Sequence, residues 1–342
     1  MLRIKKHGII IRPTTRDFEN LSTFNPGIYQ EGEYVHVFYR ALSQKFISSI
    51  GYAKLKGPTT IVERWKKPLY YPEAKYETKG MEDPRIVKIG DTFFVTYVAH
   101  DGRNAVINYL HGKDLLRLRR GGIISPKISY RKISKLFQYS KLKDQYYFLA
   151  SYYEKYAHKN VLVWEKDGVM FPEKFHGRFL LLHRVLPDIQ LIRFKNFSEL
   201  RDNNFWLDYT MHLSKHVVLE GAHGWESRHI GAGAPPVKTK KGWLIIYHGV
   251  EQANKGRVYR AGAALLDLKN PNKLIARLPD PLFSPEDDWE THGHVHNAIF
   301  PTGTAIFKDR LYIYYGAADS FVSAASVNLD ALLRELMKNK VT

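Results

Sequence analysis

Residues 83–101 read DPRIVKIGDTFFVTYVAHD, which is a proline, a short apolar run, a polar turn and a second, aromatic run. The turn IGD contains the Gly and Asp that tight hairpins favour. Phe, Tyr and Val in the second run favour extended backbone. The stretch therefore predicts a β-hairpin that starts at a proline and ends in polar residues.

Four further segments follow the same plan. They are NPGIYQEGEYVHVFYR (25–40), FPEKFHGRFLLLHR (171–184), APPVKTKKGWLIIYHG (234–249) and FPTGTAIFKDRLYIYYGAAD (300–319). Intervening runs such as KDQYYFLASYY (143–153) are strand-like as well. Five hairpins extended by outer strands predict an all-β fold, a five-bladed β-propeller formed by residues 1–342 as one domain. A large β-sandwich is the alternative.

The C-terminal stretch LDALLRELMKNK (329–340) has leucines at helical spacing. Leucines three and four residues apart lie on one face of a helix. We therefore predict a C-terminal helix that packs outside the sheets.

The chain is strongly basic, with 52 lysines and arginines against 34 acidic residues and a net charge of +18. Much of this charge lies in residues 117–144. A run of this kind is usually a solvated face, and we find none of the usual DNA- or RNA-binding motifs. Nucleic acid is therefore an unlikely partner, whereas an anionic small substrate stays open.

No apolar run approaches the roughly 18 residues of a membrane span. The apolar GIII near the N-terminus is shorter than the roughly 7–15-residue core of a signal peptide. We therefore expect a cytoplasmic protein with no membrane partner. The sequence contains no cysteine, which excludes disulfides, thiolate metal sites and a cysteine nucleophile.

The hairpin geometry predicts that distant polar residues meet. The start of the first strand and the end of the second lie at the same end of a hairpin, so Asp83 should lie near His100 and Asp101. If all blades point alike around a channel, other strand ends join the same mouth. These ends are Arg40, His183, Arg184, His248 and Asp319. We predict a functional site there.

The motifs EDPR (82–85), FPEKFHGRFLLLHR (171–184), WESRHIGAGAPP (225–236), WLIIYHGV (243–250) and FPTG with YYGAAD (300–319) together resemble glycoside hydrolase family 130. The resemblance extends over about residues 25–319. It implies a five-bladed propeller and an inverting enzyme that cleaves β-mannosides, either a phosphorylase or a β-1,2-mannosidase.

The resemblance also implies roles for individual residues. Asp83 corresponds to the general acid, which acts through a hydroxyl of the bound sugar. Candidates for the phosphate or water side are Lys166, Asp167, Arg184, His229 and His248. Inorganic phosphate is then the co-substrate, with no other cofactor and no metal expected.

The expected convergence of the strand ends and the resemblance to glycoside hydrolase family 130 together give a set of substrate-binding candidates. They are Asn25, Arg40, Arg85, His100, Asp101, Trp225, Glu226, His294, Asn297 and Asp319. The expected ligand is a β-manno-oligosaccharide. The basic segment and the terminal helix could also serve a homo-oligomer interface.

The chain departs from the phosphorylase pattern at several positions. Asp167 stands where some members carry Asn, and a carboxylate repels phosphate at close range. His229 stands in place of a lysine. His294 stands where relatives often carry an aspartate, and YRALS (39–43) lacks the aspartate expected there. The first two changes bear on phosphorolysis and the others on the identity of the sugar.

Four functions stay open at this point. Phosphorolysis is favoured because basic candidates are available for an anion. Inverting hydrolysis would use Asp167 or Glu226 to activate water. A glycan-binding propeller without turnover is a third possibility. A metal site is a fourth, since the histidines of THGHVHN (291–297) alternate and would share one face of a strand.

Overall fold

The computed structural model describes residues 2–156, 161–254 and 256–341. Strands account for 47% and helices for 17% of the chain, so the prediction of a mainly β protein is confirmed. The strands are β1 (Lys5–Ile11), β2 (Ser22–Glu31), β3 (Tyr34–Leu42), β4 (Ser48–Lys56), β5 (Thr60–Arg64), β6 (Gly80–Ile89), β7 (Thr92–His100), β8 (Ala105–Gly112), β9 (Arg119–Ile123), β10 (Lys166–Met170), β11 (Phe179–Arg184), β12 (Ile189–Phe194), β13 (Val217–Leu219), β14 (His229–Ala232), β15 (Val237–Thr239), β16 (Gly242–Ala253), β17 (Gly256–Leu266), β18 (Leu274–Arg277), β19 (Ile299–Phe307), β20 (Arg310–Ala317) and β21 (Phe321–Asn328).

The helices are α1 (Tyr130–Leu136), α2 (Asp144–Tyr156), α3 (Asn203–Met211), α4 (Asp288–Thr291) and α5 (Leu329–Lys338). The predicted C-terminal helix is confirmed as α5. The side chain of Asn328 accepts a hydrogen bond from the Ala331 amide and caps its first turn. Leu332, Leu333 and Leu336 are buried on the inner face of this helix. None of the described helices is both long and apolar enough to cross a membrane.

The strands form four sheets. One has the order β1-β21-β20-β19, so the N-terminal strand completes the sheet that the C-terminal strands form. A second has the order β10-β11-β12-β13, and a third has the order β14-β16-β17-β18 with β15 also on β16. The fourth contains β2 to β9, and its two antiparallel halves are joined by one parallel pair, Ser48 with Gly80.

The hydrophobic core lies between consecutive sets of strands. Phe38 and Tyr52 of β3 and β4 pack in one cluster with Val95 of β7, so the two halves of the large sheet face each other. Val35 and Val322 belong to a cluster between the first strands and the last sheet. Three other clusters fill the spaces between β6–β8 and β10–β12, between β10–β12 and β14–β17, and between β16–β17 and β19–β21.

The hairpins predicted at 25–40, 83–101 and 300–319 are present as β2–β3, β6–β7 and β19–β20. The hairpin at 234–249 is present as β15–β16, with β14 paired to the same strand. In the segment 171–184 the prediction placed the first strand too late. Here β10 precedes FPEK, and residues 171–178 form the connection to β11.

The strand predicted from KDQYYFLASYY (143–153) is wrong, because these residues form helix α2. Its aromatic content favours strands, but Tyr146, Leu149, Ala150 and Tyr153 follow helical spacing. The first three of these side chains are buried, and α2 packs on α1 in the core cluster that covers the β10–β12 sheet. Tertiary packing therefore overrides the local preference.

We call each antiparallel set of strands, such as β2–β5, β6–β9 or β10–β13, a sheet unit. The first strands of these three successive sheet units share an irregularity. The register shifts between Phe24 and Gly27 in β2, between Glu82 and Arg85 in β6, and between Lys166 and Val169 in β10. At each shift one residue has a positive φ, and these residues are Asn25 (45°), Asp83 (52°) and Asp167 (59°). Asn and Asp tolerate this left-handed region better than most residues. Three polar side chains are thereby redirected at equivalent places.

Candidate active site

A cavity of about 210 Å³ lies where the first strands of the sheets converge. Its walls come from segments almost three hundred residues apart in the chain. The lining residues are Asn25, Arg40, Asp83, Tyr153, Trp164, Lys166, Arg184, Leu186, His229, Arg257, Tyr259, Val295, Ala298, Phe300 and Asp319. The structure thus brings the predicted residues Asp83, Arg40, Arg184 and Asp319 to one site.

Asp83 lies at the acidic end of this cavity. Its residue is only 7% exposed, and its Oδ1 accepts a hydrogen bond of 2.8 Å from Nδ2 of Asn25. Nη1 of Arg40 lies 3.6 Å from the same oxygen. The carboxylate is therefore oriented by an amide from the neighbouring sheet unit while it lines the cavity.

Glu82 precedes Asp83 in the chain and forms ion pairs with two cations. Its carboxylate accepts hydrogen bonds from Arg40 at 2.7 Å and from Lys166 at 3.3 Å. Burial disfavours its charge, but Arg40 and Lys166 outweigh this effect and lower the pKa of Glu82 to about 2. The same carboxylate, with Asp83, raises the pKa of Lys166 against the effect of burial. Lys166 is therefore charged.

Asp319 completes the acidic end and has the opposite tendency. Burial in the cleft raises its pKa to about 6, and the nearby carboxylates of Asp83 and Glu82 add to this shift although Arg40 opposes it. Asp319 also has a positive φ of 51°. Its charge consequently changes close to neutral pH.

Arg85 braces the loop and does not line the cavity. It is 2% exposed, and it donates through Nε to the Gly233 carbonyl at 2.5 Å and through Nη1 to the Asp83 carbonyl at 2.8 Å. Of the two roles open to Arg85, holding the loop or reaching the sugar, these contacts correspond to the first. These bonds hold the left-handed backbone of Asp83 in place.

Arg184 forms the basic end together with Lys166. Its Nη1 lies 2.8 Å from Oδ2 of Asp167 and 3.3 Å from Nε2 of His248. Arg184 lines the cavity, whereas Asp167 and His248 are buried behind it at 3% and 0% exposure. Gly231 packs directly on both side chains, and a Cβ there would collide with them.

Two histidines at the basic end are neutral. Burial, followed by the charge of Arg184, holds the pKa of His229 and of His248 well below its ordinary value. His229 lines the cavity, and its ring centroid lies 6.2 Å from that of His248. A neutral imidazole can donate one hydrogen bond to an anion but adds no charge. The positive charge at this end therefore comes from Arg184, Lys166 and the exposed Arg257.

Trp225 and Glu226, both named as substrate-binding candidates, are not among the residues that line the cavity. The Trp225 indole donates to the Pro279 carbonyl at 2.9 Å and packs in the core beside Tyr247. Glu226 is 2% exposed and pairs with Arg277 at 2.5 Å. Both are structural because they fix the turn that precedes β14. The carboxylate of Glu226, a candidate for activating water, is thus paired with Arg277 rather than directed into the cavity lining.

His100 and Asp101 lie near the acidic end but outside the cavity lining. Asp101 accepts hydrogen bonds from the amides of Arg103 and Asn104 and so forms a turn. His100 accepts from the Gly102 amide at 3.2 Å. In this structure both residues shape the end of β7, and their role in sugar binding stays a prediction.

His183 alternates with Arg184 along β11 and therefore points away from the cavity. It is fully buried and bonds Glu165 at 2.8 Å and Tyr209 at 2.7 Å. The prediction treated all strand ends alike, whereas side-chain alternation separates these two neighbours.

His294 is exposed and Asn297 is half-buried, and the cavity lining between them comes from Val295 instead. Residues 292–297 follow helix α4 and form no strand, so the predicted common face for three histidines does not exist. Among the described residues, no group of three or more His, Cys, Asp or Glu side chains could hold a metal ion.

The structure adds cavity residues that sequence reasoning missed. These are Tyr153, Trp164, Arg257, Tyr259 and Phe300, together with the aliphatic Leu186, Val295 and Ala298. Tyr153 was missed because its helix was taken for a strand. Tyr259 lies on β17, outside every predicted hairpin. Phe300 lies in the FPTG motif, and its proximity to the YHG segment is visible only in the fold, where the ring centroids of Phe300 and His248 lie 4.3 Å apart.

Comparison with known proteins gives a consistent result. A model of the glycoside hydrolase family 130, described as β-1,4-mannooligosaccharide phosphorylase, matches residues 4–339. A 1,2-β-oligomannan phosphorylase from Thermoanaerobacter sp. (strain X514) is 30% identical over 96% of this chain and 97% of its own length. A β-1,2-mannobiose phosphorylase from the same organism is 33% identical over the same shares of both chains.

The fold agrees with these relatives. The structure of the β-1,2-mannobiose phosphorylase from Listeria innocua in complex with β-1,2-mannobiose superposes with a TM-score of 0.74. The match covers 99% of this chain and 100% of that one at 22% identity.

Proposed function

The chain belongs to glycoside hydrolase family 130, and from this premise we propose that it cleaves β-1,2-mannosides by phosphorolysis and releases α-mannose 1-phosphate. The observation that carries the proposal is that a carboxylate and a group of cations lie at opposite ends of one cavity. Asp83 lies at the acidic end, and Arg184 and Lys166 lie at the basic end. An inverting phosphorolysis needs one acid and one anion site on opposite faces of the sugar.

Asp83 supplies the proton. As the bond between the anomeric carbon and the leaving oxygen breaks, the proton passes to that oxygen through a hydroxyl of the bound mannose. The amide of Asn25 and the guanidinium of Arg40 hold the carboxyl group in position. Proton donation by a positioned carboxylic acid accelerates such reactions by about 10²–10⁴-fold.

Phosphate binds at the basic end and attacks the opposite face of the sugar. Arg184 presents a planar fork of donors that fits two phosphate oxygens. Lys166 and Arg257 add charge, and the neutral His229 adds one hydrogen bond. Phosphate is itself the nucleophile, so no protein base is required, and attack from this side converts a β-linkage into an α-phosphate.

The β-1,2 linkage is inferred from the relatives. The family description names a β-1,4 substrate, whereas the two relatives that align with 96% of the chain are named for β-1,2-linked mannosides. The β-1,2 linkage is therefore the one named for the relatives that align with 96% of this chain.

We also infer that the sheets form a five-bladed propeller. The eight-stranded sheet splits at its single parallel pair into two four-stranded units, which gives five units with the other three sheets. The five hydrophobic clusters support this count, because each joins two consecutive units and the last joins the fifth to the first.

Hydrolysis is the second candidate, and Asp167 is the observation that favours it. Its carboxylate lies beside Arg184 in the end assigned to phosphate. A carboxylate there opposes a phosphate dianion and could instead activate water. We favour phosphorolysis because Asp167 is buried behind Arg184 and is not part of the cavity lining.

Product analysis separates the two reactions. The purified enzyme is incubated with β-1,2-mannobiose and with β-1,4-mannobiose, each with and without inorganic phosphate. Phosphorolysis predicts α-mannose 1-phosphate and one mannose per β-1,2-mannobiose, with no reaction when phosphate is omitted. Two mannoses per mannobiose at an equal rate without phosphate would establish hydrolysis. A faster reaction with the β-1,4 isomer would overturn the inferred linkage.

A further inference from the structure

Helix α2 carries an exposed row of aromatic side chains next to the cavity. Phe148, Tyr152 and Tyr156 are spaced four residues apart, so they lie on one face of the helix. These residues are 67%, 39% and 62% exposed. Single exposed aromatic residues are ordinary, but a contiguous row marks a surface that binds a ligand or a partner.

This row is continuous with the interior of the cavity. Tyr153 and Trp164 line the cavity, and their ring centroids lie 5.7 Å apart. Tyr152 contacts Tyr153 at 5.3 Å, and Tyr156 contacts Tyr152 at 4.6 Å. We call the four residues Trp164, Tyr153, Tyr152 and Tyr156 the aromatic track. It leads without interruption from the site of reaction to the protein surface.

The aromatic track is fixed relative to the cavity. Nε2 of Gln145 in α2 donates to the carbonyls of Ser227 and Arg228, both at 2.9 Å, immediately before the cavity residue His229. The Trp164 indole donates to the Arg103 carbonyl at 2.9 Å. A binding surface that is ordered before the ligand arrives loses less entropy on binding.

The size of the cavity indicates what the aromatic track is for. A volume of about 210 Å³ is below the roughly 300–1,000 Å³ of pockets that enclose drug-sized ligands. It can therefore hold only a short part of an oligosaccharide. The rest of a longer chain must leave the cavity and lie on the surrounding surface.

We propose that the aromatic track binds the part of a β-mannan oligosaccharide that extends beyond the cavity, so that the enzyme acts more efficiently on longer chains than on the disaccharide. This proposal rests on the proposed function. A pyranose ring has an apolar face of C–H groups that can stack on an aromatic ring, while its hydroxyls remain in water. Tyrosine suits this task because its ring is apolar and its hydroxyl can bond to the sugar.

The test compares chain lengths in one double variant, Tyr152→Ala with Tyr156→Ala. Both positions are outside the cavity lining, and alanine is a good helix former. We expect kcat/KM for β-1,2-mannotetraose to fall about two- to tenfold, the scale of lost aromatic contacts. The value for β-1,2-mannobiose should change less than twofold, because the disaccharide occupies the cavity.

Tyr139→Ala is the matched control. Tyr139 is 65% exposed, close to the size and exposure of Tyr156. The hydroxyl of Tyr147 in α2 donates to the carbonyl of Phe137, two residues before Tyr139. Tyr147 and Tyr156 are nine residues apart, which is about two and a half helical turns, so they lie on opposite sides of α2. Tyr139 is therefore on the side of α2 away from Tyr156. This variant should leave both kcat/KM values unchanged.

The outcomes separate the two levels of the proposal. Suppose that the wild type cleaves both oligosaccharides and that the double variant keeps the same ratio of kcat/KM for mannotetraose to kcat/KM for mannobiose. This result would overturn the proposed role of the aromatic track and leave the proposed function intact. An unchanged ratio together with a lower molecular mass by light scattering would assign this surface to a second copy of the chain. Wild type that cleaves no β-mannoside would contradict the proposed function itself.

Discussion

Asp83 and Asp167 occupy equivalent places in neighbouring sheet units, and their surroundings differ. Each lies at a register shift in the first strand of its unit, with φ values of 52° and 59°. Each is nearly buried, at 7% and 3% exposure. The backbone therefore presents the two carboxylates in the same way.

The partners make the difference. Asp83 accepts a hydrogen bond from the neutral amide of Asn25, lies 3.6 Å from the Arg40 guanidinium and lines the cavity. Asp167 is held by Arg184 at 2.8 Å and is closed off behind it. One carboxylate is available to a substrate, and the other is committed to a cation. Neighbouring side chains rather than the backbone geometry therefore distinguish the aspartate that we propose as the acid from the one that pairs with Arg184.

The largest expected effect follows from Asp83→Asn. The amide is similar in size but cannot act as a general acid, so turnover of β-1,2-mannobiose should fall by about 10²–10⁴-fold. Release of mannose 1-phosphate measures this fall, and an unchanged thermal unfolding midpoint shows that the fold is intact. Full activity in this variant would end the assignment of Asp83 as the acid.

Among the two substrates, Arg184→Ala should mainly affect phosphate. Losing a charge-assisted pair of hydrogen bonds, worth about 1.5–3 kcal/mol, corresponds to a rise in the KM for phosphate of roughly 10- to 100-fold. The KM for the sugar should change much less, and initial rates at varied concentrations of both substrates separate the two values.

The control for that variant is the double change of Arg184→Ala with Asp167→Asn. Removing Arg184 alone leaves a buried carboxylate without its cation, which is destabilising by itself. The double variant removes both charges and should regain stability but not phosphate affinity. Recovery of phosphate affinity in the double variant would show that Arg184 only neutralises Asp167.

Gly231→Ala probes the crowding around Asp167. Its added methyl group would collide with the carboxylate of Asp167 and the ring of His248. Overpacking of this kind lowers the free energy of unfolding by about 1–3 kcal/mol, which chemical denaturation measures. Gly224→Ala is the matched control, because a Cβ there meets no atom within 4 Å. Equal effects of the two changes would contradict the close packing of Asp167.

The sequence predicted the elements whose signals are local. The hairpin around DPRI, the helix in LDALLRELMKNK and the cluster of Asp83, Arg40, Arg184 and Asp319 followed from turn residues, leucine spacing and the common end of paired strands. Family resemblance supplied the chemical roles.

Other features depend on contacts between distant segments. Trp225 and Arg85 carried suitable residue types, but whether they face the cavity or the core is decided by packing against Tyr247 and Gly233. Helix α2 was missed because its tyrosines favour strands locally, while the core against which it packs comes from other sheets. No local pattern contains that information.

The smallest expected effect concerns pH. The pKa of Asp319 is raised to about 6 by burial and by the neighbouring carboxylates, so this group is protonated below that pH and ionised above it. An ionised carboxylate accepts hydrogen bonds from sugar hydroxyls more strongly. Asp83→Asn removes one of these carboxylates, so in that background the pKa of Asp319 should lie below about 6. Affinity for mannobiose, measured in the Asp83→Asn background, should therefore rise severalfold as pH increases toward 6.

Adding Asp319→Asn to this background should remove that dependence, because the amide does not titrate. A pH dependence that survives the additional change would assign it to another group. Asp83 is absent from both proteins, so it cannot be the source of the difference.

The central claim is that Asp83 transfers the proton and Arg184 binds phosphate. It is tested most directly by isothermal titration calorimetry of phosphate binding to the Asp83→Asn variant in the presence of β-1,2-mannobiose. If Asp83 is needed only for proton transfer and Arg184 holds the anion, this inactive variant binds phosphate, and addition of Arg184→Ala abolishes the binding signal. Absence of phosphate binding to Asp83→Asn, or binding that survives the loss of Arg184, would contradict the account.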